Sequence, residues 1–256
     1  MLKVEAIPTL RDNYVWVLHD GHAAVFVDPG EAGPILTWLA RHGDAAPTPA
    51  TLLLTHHHAD HVGGVGELLR HWRLPVFGPA GIAGVDHPLG GGERLHLPGL
   101  GREAEVIAVP GHTLDHLAYL IDGHLFCGDT LFSAGCGRLF EGSPAQMQAS
   151  LARLAALPDA TRIHCAHEYT LANLQFAAWV DPDNAALLAW QDAARALRRA
   201  GRPTLPTRLA DERAYNPFLR CADPEFRRRL AAHLGCRLDD AVETLRVLRE
   251  AKNNFS

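Results

Sequence analysis

Residues 55–61 place four side chains that commonly bind metal ions within six positions of the chain. The four are His56, His58, Asp60 and His61. An apolar run that ends at Leu54 predicts a strand, and in an extended exit from that strand His56 and His58 point to the same side. His57 then points the opposite way, so we leave it out of the set. By itself the segment leaves open a satisfied polar cluster or adventitious metal binding.

Three further candidates, His112, Asp129 and His167, each follow a predicted strand. A single histidine past a strand more often caps an element or lies at the surface. Binding sites on α/β sheets are usually built at strand ends, and here four strand ends offer imidazole or carboxylate groups. Together these residues favour a metal centre over the alternatives.

The candidate set contains five imidazoles and two carboxylates, which exceeds the ligands that one tetrahedral zinc ion uses. We therefore predict two divalent metal ions. Nitrogen and oxygen ligands without a thiolate suit zinc, iron or manganese. Asp129 is the candidate bridge because its carboxylate has two oxygens. Two ions about 3.5–4 Å apart can hold a shared hydroxide and polarise a carbonyl group, so the expected chemistry is hydrolysis.

Apolar runs bounded by proline and glycine predict the elements that position these residues. Strands are predicted over 14–18, 24–27, 51–54, 106–109, 124–127 and 162–166, with helices over 32–41, 62–72 and 144–157. From residue 170 onward the pattern predicts helices only, over 171–180, 185–200, 224–234 and 239–252, with a break at 201–206. Asp223 followed by Pro224 is a helix-start signal. The sequence therefore predicts an α/β domain over 1–168 and a small all-helical domain over 169–256.

The charge of the chain is distributed unevenly. Residues 1–168 contain 10 Lys and Arg against 18 Asp and Glu, a charge of −8, and the remainder contains 14 against 11, a charge of +3. Of the 16 histidines, 15 precede residue 169. The first part therefore suits cations and the second an anionic ligand. Neither part has the basic excess of a nucleic-acid-binding protein, so we expect no nucleic-acid partner.

Other features of the sequence indicate the cellular location. No basic start leads into an apolar stretch, and no segment approaches the roughly 18 apolar residues that span a bilayer. The five cysteines form no close pairs, which fits a reducing compartment. We expect a soluble, cytoplasmic monomer without a membrane partner.

Several longer strings resemble one family. The ligand pattern His-x-His-x-Asp-His is similar to that of the metallo-β-lactamase superfamily. Narrower strings resemble glyoxalase II, namely residues 12–16 (DNYVW), 27–30 (VDPG), 110–113 (PGHT), 126–132 (FCGDTLF), 134–138 (AGCGR) and 166–170 (AHEYT). The resemblance implies an αββα sandwich followed by a small helical domain, and hydrolysis of S-D-lactoylglutathione to D-lactate and glutathione.

The resemblance also implies an assignment of the ligands. It places His56, His58 and His112 on one metal ion, Asp60, His61 and His167 on the other, and Asp129 between them. Metal-bound hydroxide would attack the thioester carbonyl, with one ion stabilising the oxyanion. Asp60 would also orient the hydroxide, so that Asp60 and Asp129 are both catalytic.

The substrate contacts that the resemblance implies fall on Arg138, Tyr169, Asn173, Arg249 and Lys252. Arg249 and Lys252 are three residues apart on a predicted helix and share a face, which suits a glycyl carboxylate. Without the resemblance they are an ordinary solvated helix end.

Some residues depart from the family pattern or have simpler interpretations. Arg138 stands where eukaryotic members commonly have lysine, and Phe140 stands where they have tyrosine, so one hydroxyl contact to glutathione is missing. Asp115 lies in a turn where glycine is more usual. Asp28 is a turn former by default, and the resemblance adds a role in holding a ligand. Cys136 is interpreted as a free structural thiol.

Three other functions stay open on the sequence. The first is a lactonase or β-lactamase on the same fold, since a metal centre does not encode the acyl donor. The second is a one-iron persulfide dioxygenase, a family that usually lacks a comparable helical domain. The third is a glutathione-binding protein without turnover, which the candidate bridge and Asp60 disfavour.

Overall fold

A computed structural model describes residues 2–255. The chain forms two compact units. Unit 1 contains the chain up to Ala108 together with Asp115–Gly128, and unit 2 contains Val109–Leu114 and the chain from Asp129 onward. Within the described residues, no helix combines the length and apolarity needed to cross a bilayer.

Unit 1 begins with a six-stranded sheet whose strands follow chain order. They are β1 (Lys3–Thr9), β2 (Asn13–His19), β3 (Ala23–Val27), β4 (Thr48–Leu53), β5 (Val76–Pro79) and β6 (His87–Leu89). The first three are antiparallel, and β3 to β6 are parallel. Parallel neighbours need crossover connections. These carry α1 (Ala32–His42) with the 3₁₀ turn Gly43–Ala45 after β3, and α2 (Ala59–Val62) with α3 (Val65–His71) after β4.

Four antiparallel strands of unit 1 lie next to one another in a second sheet. They are β7 (Arg94–Leu97), β8 (Arg102–Ala108), β9 (Leu117–Ile121) and β10 (His124–Gly128). Tyr119 of β9 is fully buried, and its hydroxyl donates to the carbonyl of Leu54 at 2.7 Å. The second sheet therefore packs on the first at the end of β4.

The core of unit 1 explains the uninterrupted apolar runs of the sequence. All seven residues of β2 are buried, as expected for a strand that is covered on both faces. Ile35 of α1 and Leu68 of α3 share one cluster with Phe26 and Leu52 of the first sheet. Helices thus cover one face of this sheet, and the layered arrangement confirms the predicted α/β class.

Unit 2 is mainly helical. Its helices are α4 (Pro144–Ala155), α5 (Thr170–Val180), α6 (Ala185–Arg199), α7 (Leu209–Tyr215), α8 (Pro224–Leu234) and α9 (Ala241–Asn253), with the 3₁₀ turn Pro217–Leu219. Its strands are β11 (Leu131–Phe132), β12 (Gly135–Cys136), β13 (Arg162–Cys165) and β14 (Thr207–Arg208). A core cluster joins Leu174 and Ala177 of α5 to Leu187 and Ala194 of α6.

The predicted start of α8 is confirmed. The helix begins at Pro224, and the Asp223 carboxylate accepts a hydrogen bond from the backbone N–H of Glu225 at 2.9 Å. The side chain satisfies one of the N–H groups that the first turn leaves without a helical partner.

The prediction of one helix over 62–72 is wrong, because the segment forms two short helices, α2 and α3. The backbone N–H of Gly64 donates to the carbonyl of Pro29 at 2.8 Å, outside the helix. A Cβ on Gly63 would lie 2.7 Å from the carbonyl oxygen of Gly30, and one on Gly64 would lie 2.6 Å from the nitrogen of Ala32. Close contact with a neighbouring loop therefore interrupts the helix, and it requires the two glycines.

The prediction that only helices follow residue 170 is also wrong. Thr207 and Arg208 form β14, which pairs antiparallel with Arg162 and Ile163 of β13. The prolines in 201–206 keep this segment out of a helix, so it reaches β13 in an extended conformation. The sequence analysis also missed α7.

Candidate active site

The metal-ligand candidates of unit 1 lie directly after β4. His56 and His61 are buried, and His58 and Asp60 are half-buried. Nε2 of His56 lies 3.0 Å from Nδ1 of His58. Two nitrogens bound at 2.0–2.1 Å to one tetrahedral zinc ion would lie about 3.3 Å apart. The two rings are therefore placed to share one ion.

Asp28 fixes the orientation of His61. Oδ2 of Asp28 lies 3.0 Å from Nδ1 of His61, and both side chains are buried. The same carboxylate accepts from the backbone N–H of Thr55 at 2.8 Å and from its hydroxyl at 2.7 Å. A carboxylate on Nδ1 holds the tautomer in which Nε2 is available to a metal ion. The role that the resemblance adds to Asp28 agrees with this geometry.

Two other contacts shape this group of ligands, and the sequence analysis assigned neither. Nδ2 of Asn13 donates to Oδ2 of Asp60 at 2.9 Å and orients that carboxylate. The buried ring of His116 stacks on His56 with centroids 4.6 Å apart. Asn13 lies in a string that was quoted for the resemblance, whereas no local pattern marks His116.

His57 behaves differently from its neighbours. It is exposed, and its Nδ1 lies 3.7 Å from the Asp115 carboxylate. This position is in keeping with its omission from the candidate ligands. It also gives Asp115 a nearby cationic partner when His57 is protonated.

The candidates of unit 2 are arranged around one carboxylate. Oδ2 of Asp129 lies 3.5 Å from Nε2 of His112, and Oδ1 lies 3.3 Å from Nε2 of His167. All three side chains are buried. Each oxygen of Asp129 therefore faces a different imidazole, which is the arrangement required of a carboxylate shared by two ions.

His112 is oriented from its other ring nitrogen. The backbone carbonyl of Arg138 lies 2.8 Å from Nδ1 of His112 and suits an N–H donor there. His167 stacks on Tyr169 with centroids 4.6 Å apart and an interplanar angle of 6°. Backbone and aromatic contacts thus leave both Nε2 atoms directed at Asp129.

A cavity of about 470 Å³ in unit 2 adjoins this carboxylate. Its lining includes His112, Asp129, Phe132, Cys136, Arg138, Phe140, Tyr169, Ala172, Asn173, Arg249, Lys252, Asn253 and Phe255. All five residues that the sequence analysis assigned to the substrate are among them. Asn253 and Phe255 also line the cavity and were missed, because nothing in a helix end marks which side chains face a ligand.

Arg249 and Lys252 do not form a solvated helix end. Arg249 is only 7% exposed, and its Nη1 donates to the carbonyl of Cys136 at 2.7 Å. Nζ of Lys252 donates to the carbonyl of Ala172 at 2.8 Å. The two cations of α9 are therefore anchored on the wall of the cavity.

Two other wall residues differ in exposure. Phe140 is 62% exposed, and its ring centroid lies 5.2 Å from that of His112. Cys136 is buried, and burial raises the pKa of its thiol to about 11. A thiol with this pKa is protonated at neutral pH, which agrees with a structural role.

The charge that Lys252 carries on the cavity wall should depend on pH. Burial, followed by the nearby charges of Arg249 and Arg138, lowers the pKa of Lys252 to about 8. A lowered lysine pKa means that the cation is present below about pH 8 and lost above it. We therefore expect the KM for an anionic substrate to rise between pH 7 and pH 9.

The matched variant for this measurement is Lys252→Arg, because arginine stays protonated throughout that range. The ratio of its KM to that of the wild type should fall as the pH rises. A ratio that stays constant from pH 7 to pH 9 would contradict the titration of Lys252.

The whole chain matches known families. Residues 8–85 and 78–167 match the model of the metallo-β-lactamase superfamily, and residues 168–255 match that of the hydroxyacylglutathione hydrolase C-terminus. The hydroxyacylglutathione hydrolase of Cupriavidus taiwanensis is 51% identical over the full length of both chains.

Two solved structures are also similar. ETHE1 from Myxococcus xanthus has a TM-score of 0.65 at 23% identity, with 98% of this chain and 99% of that chain covered. This likeness concerns the fold. TTHA1623 in a di-iron-bound form has a TM-score of 0.52 at 29% identity, with 64% of this chain and 91% of that chain covered.

These matches confirm the metallo-β-lactamase fold and the helical C-terminal region that the sequence predicts. The match to the relative from Cupriavidus taiwanensis covers both of these regions of this chain. The chain belongs to the hydroxyacylglutathione hydrolase family of the metallo-β-lactamase superfamily.

Proposed function

We propose that this chain hydrolyses S-(2-hydroxyacyl)glutathione thioesters, chiefly S-D-lactoylglutathione to glutathione and D-lactate. The observation that carries the proposal is one cavity lined both by His112 and Asp129 and by the cations Arg138, Arg249 and Lys252. In this proposal the thioester carbonyl of the substrate lies at the end of the cavity with His112 and Asp129, and the anionic glutathione part lies at the end with the three cations.

The chemistry of the donors suits divalent metal ions, since imidazole nitrogens and carboxylate oxygens converge without a thiolate. We extend this to two ions, most simply zinc, with iron or manganese as alternatives. One ion would be held by His56, His58 and His112, the other by Asp60, His61 and His167, and Asp129 would bridge them. The two faces of Asp129 support this arrangement, and the di-iron form of TTHA1623 supports iron as an alternative.

When bound, the ions would supply a water of lowered pKa and Lewis acidity toward the carbonyl oxygen. The role of Asp60 is to orient the attacking water. Its carboxylate is itself held by Asn13 at 2.9 Å, which limits the positions that its oxygens can adopt. Asp129 would offer one carboxylate oxygen to each ion.

The cationic end of the cavity would bind the carboxylates of glutathione. Arg249 is held by the Cys136 carbonyl, so its guanidinium is in place before substrate arrives, and Lys252 supplies a second cation one helical turn further along α9. Nδ2 of Asn173 donates to the carbonyl of Ser133 at 3.1 Å, which holds this side chain at the wall. We assign Tyr169 and Arg138 to the same ligand.

Three remaining expectations belong to the proposal. We place the boundary between a catalytic region, 1–168, and a substrate-binding region, 169–256, just after His167, the last of the proposed metal ligands. A cytoplasmic location fits the five cysteines, which form no disulfide within the described residues and four of which are buried. We expect a monomer, with neither nucleic acid nor membrane as a partner.

The proposal is tested by comparing acyl donors. The loss of thioester absorbance is followed with S-D-lactoylglutathione, beside hydrolysis of a lactone and a β-lactam by the same metal-loaded protein. We expect turnover of the glutathione thioester to exceed that of the other two by orders of magnitude. Preferential turnover of the lactone or the β-lactam would overturn the substrate assignment.

We expect two metal ions per chain, because seven ligand candidates exceed the needs of one ion. Protein refolded with excess zinc and freed of unbound metal should approach two equivalents by elemental analysis. His167→Ala should bind less. A plateau at one equivalent, unchanged by His167→Ala, would contradict the dinuclear site.

Lys252→Ala should raise the KM for glutathione thioesters and leave kcat nearly unchanged. A contact far from the scissile bond stabilises substrate and transition state about equally. Loss of one charge-assisted hydrogen bond corresponds to roughly tenfold in kcat/KM. Arg249→Ala is a less clean test, because Arg249 also holds the Cys136 carbonyl.

The matched control for Lys252→Ala is Arg246→Ala, a half-buried cation on the same helix that pairs with Glu243 and Glu250. It should leave KM unchanged, and small neutral thioesters should be insensitive to both variants. A fall in kcat at unchanged KM for Lys252→Ala would assign this lysine a structural role.

A further inference from the structure

The buried carboxylate of Glu212 lies on α7, and the proposed reaction does not use it. Glu212 is fully buried. Its Oε2 accepts from the backbone N–H of Ala134 at 2.9 Å and from Nδ2 of Asn216 at 3.0 Å. Its Oε1 accepts from the hydroxyl of Tyr215 at 3.0 Å. Burial raises the pKa of this carboxyl, and burying such a group is costly unless its oxygens accept hydrogen bonds, which these three neighbours donate.

These contacts converge on the hairpin segment, which we define as Leu131–Arg138 and which contains β11 and β12. Nδ2 of Asn216 also lies 3.0 Å from the carbonyl oxygen of Phe132 and 3.1 Å from that of Gly135. The polar groups of Glu212 and Asn216 thus reach the backbone of the hairpin segment at three positions, Phe132, Ala134 and Gly135.

The turn of the hairpin segment is in a conformation that L-residues rarely adopt. Ala134 has φ +53°. The left-handed region brings Cβ close to the following carbonyl group, so alanine is disfavoured there without outside support. The hydrogen bond from Ala134 to Glu212 supplies that support.

The other end of the hairpin segment forms the wall of the cavity. The carbonyl of Cys136 accepts the hydrogen bond of Arg249 at 2.7 Å, and Phe132, Cys136 and Arg138 line the cavity. A shift of the turn would therefore move the acceptor that holds Arg249. It would also move the wall beside Asn173, because a Cβ on Gly135 would lie 2.5 Å from Nδ2 of Asn173.

We propose that Glu212 is a positioning residue for substrate: through Ala134 it fixes the hairpin segment, and through Cys136 it holds Arg249 in the place that binds the glutathione moiety. The proposal rests on the proposed function. Glu212 touches neither the substrate nor a metal ligand in this scheme. Its effect is on binding of the glutathione part, while the metal-binding end keeps its own contacts.

Two substitutions separate the reach of the side chain from its charge. Glu212→Asp keeps the charge but is one methylene shorter, so its carboxylate cannot reach the N–H of Ala134 from the same backbone. Glu212→Gln loses the charge but keeps an oxygen at the full length. We expect Glu212→Asp to raise the KM for S-D-lactoylglutathione about tenfold with kcat changed less than twofold. Glu212→Gln should stay within about twofold of the wild type in both constants.

The dissociation constant of product glutathione, measured by titration calorimetry on the metal-loaded protein, provides a readout that needs no turnover. It should rise with KM in Glu212→Asp and not in Glu212→Gln. Asp211→Asn, an exposed carboxylate on the same helix, is the matched control and should change neither constant. Metal content should be equal in all four proteins.

Amide hydrogen exchange of the wild-type protein tests the same inference without any substitution, and it decides the matter if Glu212→Asp does not fold. The N–H of Ala134 should exchange as slowly as the amides of the core in the absence of ligand, and added glutathione should not slow it further. Rapid exchange that glutathione suppresses would overturn the proposal, because the hairpin segment would then be ordered by substrate.

The kinetic outcomes are equally decisive. Unchanged KM in folded Glu212→Asp, an equal loss of kcat, or a similar defect in Glu212→Gln would each overturn the positioning role. A wild-type protein without thioesterase activity would instead sink the proposed function. The dissociation constant of glutathione is measured without turnover, so the two failures are distinguishable.

Discussion

Replacing Asp129 with alanine is expected to reduce kcat for S-D-lactoylglutathione by more than about a hundredfold. Its two oxygens face Nε2 of His112 and of His167, at 3.5 and 3.3 Å. Substitution of residues that only orient metal ligands typically costs 10–100-fold, and a shared ligand should cost more. The effect should exceed that of any residue assigned to glutathione. Steady-state kinetics measure kcat, and elemental analysis of the same preparation measures the metal content.

The control for this variant is Asp183→Ala, an exposed carboxylate of the same unit. Its turnover and metal content should match the wild type. Wild-type turnover by Asp129→Ala would show that the bridge assignment is wrong. Loss of activity with two metal ions retained would instead place Asp129 in the reaction without a role in holding the ions.

Asp28→Asn is expected to weaken metal binding by 10–100-fold. The amide cannot offer acceptors at both oxygen positions, and Oδ2 of Asp28 faces both the hydroxyl of Thr55 and Nδ1 of His61. The ring of His61 then loses the contact that directs its Nε2 toward the metal-binding group. Competition with a chromophoric chelator measures the affinity directly.

Excess metal should restore much of the kcat of Asp28→Asn, because the substitution leaves every proposed ligand in place. Asp44→Asn, an exposed carboxylate of the same unit, should bind metal like the wild type. Unchanged affinity in Asp28→Asn would show that backbone packing alone orients His61. A melting temperature measured without metal separates this effect from loss of the fold.

The sequence was sufficient for part of the local structure. Uninterrupted apolar runs predicted strands such as β2, since a strand covered on both faces has no polar side to alternate with. Asp223 and Pro224 predicted the start of α8, because capping depends on neighbours two residues away. The spacing of His56 and His58 likewise predicted side chains on one side of an extended segment, and their nitrogens lie 3.0 Å apart.

Local patterns failed where a distant segment decides the outcome. The helix predicted over 62–72 is interrupted because Gly64 donates to Pro29, a contact outside the reach of helical periodicity. The strand β14 forms because β13 offers a partner to Thr207 and Arg208. In both cases tertiary contacts override the local preference.

By itself the sequence indicated the family and supplied the candidate metal ligands and substrate contacts, since these depend on side-chain chemistry and on short motifs in the sequence. Only the tertiary structure decided what holds them. Asp28 reaches Thr55 across 27 positions, Glu212 reaches Ala134 across 78, and Arg249 reaches Cys136 across 113. Such contacts produce no periodic pattern in the sequence. Closing a long loop costs entropy, and the packing of the whole domain offsets that cost, whereas residues next to the contact in sequence do not.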